Sequence, residues 1–269
     1  MNKKIGVLGC GWLGLPLAKS LVKKGYVVYG TTTNSGKLTD LEKDGIIPIL
    51  FRLHPEEIKE PALEFLNQLD ILVINVPPGI RRDPGRRYFD EMKLLATHIK
   101  KNGVPNVLFV SSTSVYGNAE GEINEGTSLT PQTESAKQLA ATERLFIEDK
   151  NLSTTIVRFG GLIGPRRHPV NQLAGKTDLR NGDDVVNLIH LSDCIQLLEA
   201  IIQNSWWDEI FNAVYPDHPR KEEYYKSEAI KRGLKAPTYK EVSGRKKGKI
   251  IKSRNFLNKG NRFYTSIHT

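Results

Sequence analysis

Lys4-Ile5-Gly6-Val7-Leu8-Gly9-Cys10-Gly11-Trp12-Leu13-Gly14-Leu15-Pro16-Leu17 is the stretch whose reading decides the fold. Ile5 to Leu8 is a short apolar run of the kind that forms a buried strand. From Leu13 the apolar residues Leu17, Leu21 and Val22 recur at helical spacing, and Gly25 closes the helix. Between strand and helix, Gly9, Gly11 and Gly14 form G-x-G-x-x-G. In that setting the first glycine permits a tight turn and the second lets an anion approach the backbone. The third lets the helix pack close on the strand. The helix amino terminus then turns its N–H groups toward the anion. The stretch implies a socket for the diphosphate of a dinucleotide, with Gly9, Cys10, Gly11, Trp12, Leu13 and Gly14 around it. A merely structural turn is the alternative.

Outward from this stretch, strands and helices alternate through the first 160 residues. Further strands are expected at Tyr26 to Thr31, Ile46 to Phe51, Ile71 to Val76, Val107 to Ser111 and Thr154 to Arg158. Helices are expected from about Lys37 to Asp44, Pro55 to Leu69, Tyr88 to Lys101 and Thr133 to Glu148. This alternation buries a parallel sheet between two helix layers, with right-handed crossovers. The fold class is therefore α/β, a Rossmann-type doubly wound sheet of six strands whose ligand crevice lies at the strand carboxyl ends. After Gly160 the pattern gives way to turns rich in Gly, Pro and Arg, then Val185 to Ile189, a helix from Ser192 to Gln203, Glu209 to Val214 and a helix from Lys221 to Arg232. Residues 1–160 are expected to form the dinucleotide-binding domain. Residues 161–269 are expected to form a small substrate or cap region that partly contributes to the same domain.

The chain of 269 residues is long enough to bury its own core. Its formal charge of +9 is unevenly placed: residues 1–214 carry 24 Lys/Arg against 25 Asp/Glu, and residues 215–269 carry 15 against 5. The excess lies in a tail holding Arg245-Lys246-Lys247-Gly248-Lys249, which reads as a solvated or anion-facing segment rather than a nucleic-acid surface. The longest apolar runs, Ile71 to Pro78 and Ile195 to Ile202, are far short of the roughly 20 residues a membrane helix needs. The amino terminus has no leader-type cleavage site. Cys10 and Cys194 are distant and lack metal-ligand spacing, which suits a reducing cytoplasm. The six histidines show no paired spacing, and no metal is expected. The expected partner is a small-molecule substrate, without nucleic acid or membrane, and the expected state is monomer or homodimer.

After the second strand a NAD site usually places an Asp or Glu on the ribose hydroxyls. Here the segment reads Gly30-Thr31-Thr32-Thr33-Asn34-Ser35-Gly36-Lys37, and the first acid is Asp40. Thr32, Thr33, Asn34 and Lys37 are thus expected to hold a 2′-phosphate, which favours NADP over NAD; an ordinary polar loop is the alternative. Val76, Pro77 and Pro78, at the end of the fourth strand, are expected against the cofactor. Cys10, at a helix amino terminus, is either a small filler or a redox-sensitive thiol with a lowered pKa. Arg81, Arg82, Arg86 and Arg87 after the fourth strand, and Arg166-Arg167-His168 after the sixth, suit a substrate anion or solvent equally.

Three further strings stand out: Val110-Ser111-Ser112-Thr113-Ser114-Val115-Tyr116-Gly117, Val157-Arg158-Phe159-Gly160-Gly161-Leu162-Ile163-Gly164-Pro165 and Leu188-Ile189-His190-Leu191-Ser192-Asp193. Over nearly the whole chain they resemble the extended short-chain dehydrogenase/reductases, the NAD(P)-dependent epimerase/dehydratase family. The resemblance implies that Ser112 hydrogen-bonds the reacting carbonyl or hydroxyl, and that His190 and Asp193 support the fold. It also implies a Tyr-x-x-x-Lys pair on the next helix, where the lysine lowers the tyrosine pKa for proton transfer. Those positions hold Ser135 and Leu139. Lys137 is two residues short, about 200° away around a helix. The family's first glycine is Leu8, so the chain reads as an atypical member. Tyr116 is the substitute acid to expect, a packing tyrosine being the alternative. The resemblance implies an NAD(P)-dependent oxidoreductase or isomerase acting on a small polar, sugar-derived or anionic carbonyl or hydroxyl substrate. The missing pair leaves a second reading, a non-catalytic NADP(H)-binding or redox-sensing protein.

Overall fold

The computed structural model describes residues 3–58, 64–240 and 248–268. In chain order it contains β1 (Lys4–Leu8), α1 (Gly14–Lys23), β2 (Val27–Thr32), α2 (Leu38–Lys43), β3 (Ile47–Leu50), β4 (Ile71–Ile74), α3 (Tyr88–Lys101) and β5 (Asn106–Ser112). Then come β6 (Gly121–Ile123), α4 (Glu134–Ile147), β7 (Ser153–Phe159), β8 (Gly161–Ile163), α5 (Val170–Leu173), β9 (Leu188–His190) and α6 (Leu191–Asn204). The chain closes with β10 (Ile210–Ala213), α7 (Lys221–Lys231), β11 (Lys249–Ile251) and α8 (Arg254–Asn258). The main sheet has seven strands in the order β10-β7-β5-β4-β1-β2-β3. Its parallel register sets Ile5 against both Val28 and Ile71, and Val7 against both Gly30 and Val73. Strand order reverses at the β1/β4 boundary, the switch point where doubly wound sheets open a crevice.

The sheet has one strand more than the sequence suggests. Glu209 to Val214, expected beyond the dinucleotide-binding region, supplies β10 at its edge. The irregular turns after Gly160 hide this, because they separate β10 from the alternating pattern. The helix expected from Pro55 to Leu69 is not formed as such: residues 51–58 are irregular and a 3-10 turn covers Glu64–Gln68, while residues 59–63 lie outside the described residues. A run holding Pro55 and Pro61 is a poor helix former.

The chain divides into two compact units, each assembled from separate stretches of sequence. Unit 1 comprises Met1–Ser112, Thr133–Val157 and Leu198–Ile210; unit 2 comprises Thr113–Gln132, Arg158–Leu197 and Phe211–Thr269. The chain enters unit 2 directly after β5, so the V-Y-G segment belongs there and not with the strand that leads to it. Unit 1 is centred on the fully buried Ile5, Val7, Leu17, Leu21, Leu72, Val73, Leu108 and Phe109. Leu17 and Leu21 come from the buried face of α1, whose helical period matches its apolar spacing. Gly25, at φ +87°, lets the chain turn from α1 into β2. Unit 2 has its own cluster of Ile163, Val170, Val186, Leu188, Tyr224, Tyr225, Ala229 and Ile267, and two small parallel pairs, β6/β11 and β8/β9.

Candidate functional site

Gly9, Gly11 and Gly14 have the three distinct environments that their spacing predicts. Gly9 turns the chain at φ +99°. A Cβ on Gly14 would lie 2.1 Å from the Gly9 carbonyl oxygen, so only glycine lets α1 approach this loop. A Cβ on Gly11 would meet nothing within 4 Å. Gly11 is exposed, and the space a side chain would fill is open. Two neighbouring strands pin the loop. Gly9 N donates to Thr31 Oγ1 at 2.9 Å, and Cys10 N donates to the Thr31 carbonyl at 2.9 Å. From β4's end, Asn75 Nδ2 donates to the Gly9 carbonyl at 3.1 Å. Leu13, at the head of α1, makes no side-chain cap, and the first turn carries no acid. An uncapped helix start whose own first turn carries no carboxylate is chemically suited to an anion.

A cavity of about 790 Å³ opens in unit 1 beside this loop. Of the expected cofactor contacts, Gly9, Cys10, Gly11, Thr32, Thr33, Asn34, Lys37, Val76 and Pro77 line it. Trp12, Leu13, Gly14 and Pro78 do not; Leu13, Gly14 and Pro78 are buried. Cys10 is buried and its Sγ donates to the Val7 carbonyl at 3.8 Å. Burial pushes its thiol up to about 12, opposite to the lowering that a redox-sensitive thiol requires, so the residue is a filler against Gly30. The loop after β2 is preformed: Thr32 Oγ1 accepts from Asn34 N at 3.2 Å, and Asn34 Oδ1 accepts from Gly36 N at 2.9 Å. Arg82, Arg86 and Arg87 also line the cavity. Arg86 is tied down, with Nε and Nη2 donating to the Glu91 carboxylate and Nη1 to the Pro77 carbonyl at 3.1 Å. It shapes the β4–α3 loop.

Sequence reasoning missed Thr31, Asn75 and Arg52. Asn75 carries a readable signal, being the polar exception in the apolar run Ile71 to Val76. Arg52 carries none, since the register of β3 on β2 is what brings it to the cavity.

Ser112 ends β5 and is half-buried. The preceding Ser111 is buried and its hydroxyl donates to Glu143 Oε1 on α4 at 2.5 Å. On α4 the positions expected for tyrosine and lysine hold a half-buried Ser135 and a buried Leu139, while Lys137 is exposed.

In unit 2, Tyr116 is fully buried. Its hydroxyl accepts from Arg158 Nη1 at 2.8 Å and faces Asn212 Oδ1 at 2.8 Å and the Asn124 carbonyl at 3.1 Å. The Arg158 guanidinium also stacks 5.1 Å from its ring centre. Burial raises the Tyr116 pKa against the opposing pull of Arg158, whereas proton transfer near neutrality requires a lowered one. These bonds make Tyr116 a packing residue in unit 2. His168 is buried too, with Nδ1 accepting from Val170 N at 3.2 Å and Nε2 donating to the Tyr224 hydroxyl at 3.0 Å, so it is no part of an anion face. Asp193 accepts from Thr265 N and Oγ1, and His190 Nδ1 accepts from Ser192 N; both are structural, as expected. Lys249 Nζ donates to the Gly117 carbonyl at 2.5 Å and lines a second cavity of about 670 Å³ with Asn118, Asp184, Lys221 and Tyr225. Arg245, Lys246 and Lys247 lie outside the described residues.

Two family models match the chain. The NAD binding domain of 6-phosphogluconate dehydrogenase matches residues 4–128, and the NAD dependent epimerase/dehydratase family matches residues 87–213. Protein YeeZ of Escherichia coli K12 is 36% identical over 251 residues, covering 93% of this chain and 91% of that protein. The chain belongs to the family of Protein YeeZ, and its residues 87–213 match the NAD dependent epimerase/dehydratase family. Two solved structures share the fold. UDP-glucose 4-epimerase of Thermotoga maritima superposes with TM-score 0.78 at 18% identity, covering 98% of this chain and 95% of that one. The dTDP-glucose 4,6-dehydratase of Bacillus anthracis, solved with NAD, gives 0.77 at 16% identity over 99% and 93%. The first family model spans the glycine loop Gly9 to Gly14. Among the described residues no helix is long and apolar enough to cross a membrane, and no cluster of metal-ligating side chains occurs.

Proposed function

We propose that this protein is of the epimerase/dehydratase type, binds NADP(H) in preference to NAD(H) in the unit 1 cavity and acts on a small polar carbonyl or hydroxyl substrate. The observation that carries the reading is the open space at Gly11, beside an uncapped helix start, in a loop pinned by Thr31 and Asn75. The glycine loop would cradle the diphosphate, Val76 and Pro77 would flank the nicotinamide ribose, and the carboxylate-free loop Thr32-Thr33-Asn34 would take the adenosine ribose. When bound, the nicotinamide supplies or accepts hydride. Ser112, held at the end of β5, would orient the substrate oxygen by hydrogen bonding. The proton donor is not assigned to Tyr116, whose hydroxyl is engaged with Arg158 and Asn212.

A second reading, a dinucleotide-binding protein without catalysis, is favoured by Ser135 and the buried Leu139 at the proton-transfer positions. Thermal unfolding with NADPH and NADH tests the shared part: saturation at 100 times the dissociation constant adds about 2.7 kcal/mol of stability. Loss of NADPH absorbance with a panel of small aldehydes, ketones and sugar-derived carbonyls, abolished by Ser112→Ala, would support the enzyme. Cofactor-dependent stabilisation with no turnover on any substrate would support the binding protein, and no stabilisation would overturn both.

A further inference from the structure

We infer that Lys37 and Arg52 form a two-pronged clamp for a phosphate on the 2′ position of the adenosine ribose. The inference rests on the dinucleotide reading above and assigns its cofactor preference to two side chains. Lys37 ends the 3-10 turn Ser35–Lys37 that follows β2. Arg52 lies just beyond β3, which pairs with β2 so that Thr31 faces Ile49 and Thr32 faces Leu50. Phe51 N continues the ladder by donating to the Thr32 carbonyl at 2.9 Å. Continued by two residues, the register delivers Arg52 to the level of Asn34, and both cations line one cavity with Thr32, Thr33 and Asn34.

Their electrostatic state distinguishes them from Arg86 and Arg87, while Arg82, exposed and also unpaired among the described residues, comes from the segment after β4 beside Asp83. Arg86 is neutralised by Glu91, and Arg87 by Asp90 and Glu56. Lys37 and Arg52 are exposed, and among the described residues neither side chain has a hydrogen-bonding or ion-pair partner. Asp83 and Glu91 are the carboxylates lining the cavity; both come from the segment after β4, and Glu91 is already paired. At the end of β2 no acid is present to accept from ribose hydroxyls, as NAD sites require. A 2′-phosphate reverses the requirement, since it brings negative charge and acceptor oxygens to two unpaired cations. The arginine fork engages two phosphate oxygens at once, and the lysine adds a point charge. The loop between them is held by its own Thr32 and Asn34 hydrogen bonds, so little ordering is needed on binding.

The test uses the full chain and four probes: NADPH, NADH, 2′,5′-ADP and 5′-ADP, with dissociation constants from calorimetric titration. The wild type is expected to prefer each 2′-phosphorylated probe by about tenfold or more, and Arg52→Gln or Lys37→Gln to weaken those two by about tenfold each. NADH and 5′-ADP should change by less than about twofold, and both variants should keep the wild-type melting temperature because the side chains are exposed. Equal affinity of the wild type for NADPH and NADH, or equal weakening of all four probes by Arg52→Gln, overturns the clamp and leaves the dinucleotide site standing. Failure of all four probes to bind overturns the dinucleotide reading itself, and the clamp with it.

Discussion

Gly11 and Gly14 differ by three positions, and the structure assigns them opposite consequences on substitution. In Gly11→Ala the new methyl has no atom within 4 Å and the backbone lies outside the left-handed region. The fold should be unchanged or, through loss of unfolded-state entropy, more stable by up to about 1 kcal/mol. The methyl would occupy the space the diphosphate needs. Displacing it removes one or two charge-assisted hydrogen bonds worth about 1.5–3 kcal/mol each, a loss of about tenfold to about ten-thousandfold in affinity. In Gly14→Ala the methyl meets the Gly9 carbonyl at 2.1 Å and Asn75 Nδ2 at 2.9 Å. The clash is with backbone, so helix and loop must separate, at a cost of about 1–3 kcal/mol or more. At about 2–4 °C per kcal/mol for a chain of this size, Gly14→Ala should melt roughly 2–12 °C lower. Thermal unfolding with NADPH titration on both variants reads the two effects separately. A Gly11→Ala protein that binds NADPH like the wild type would refute the assignment of that space to the diphosphate. So would one that melts as early as Gly14→Ala.

Tyr116→Phe should cost about 1–3 kcal/mol in urea denaturation, because Arg158 and Asn212 lose a buried partner, while any turnover survives in the folded fraction. Full stability with abolished turnover would return the proton-donor role to this residue. Burial, reinforced by Arg232 against Glu228, lowers His168 to about 4, so the unfolded chain binds more protons between pH 6.5 and 4. Stability should be greatest above pH 6.5 and fall by up to about 3 kcal/mol as the pH drops to 4, a slope that His168→Gln flattens in denaturation curves. With its thiol near 12, Cys10 should resist alkylation at pH 7.5 in the native protein and react only on unfolding; rapid native labelling, located by mass spectrometry, would contradict the filler role.

The parts of the fold that local pattern controls were legible in the sequence. β1, the three glycines and α1 follow from strand, turn and helix signals within about 20 residues, and their structure matches those signals. The features that escaped depend on partners far along the chain. Asn75 holds Gly9 from 66 residues away, and Arg52 reaches the cavity through strand register. Tyr116 stands four residues from Ser112, which suggests a shared site. Its environment is set instead by Arg158 and Asn212, 42 and 96 residues distant, which enclose it. Compactness likewise follows contacts rather than chain order, since the chain returns to unit 1 at Leu198–Ile210.

The central claim is that the glycine loop and the start of α1 hold the diphosphate of a nicotinamide dinucleotide. Calorimetric titration of the purified full chain with NADP, NADPH, NAD and NADH addresses it directly. The account predicts saturable heat at one site per chain, strongest with the NADP pair and weakened at least about tenfold in Gly11→Ala. Absence of binding heat with all four dinucleotides, at several temperatures, would contradict it.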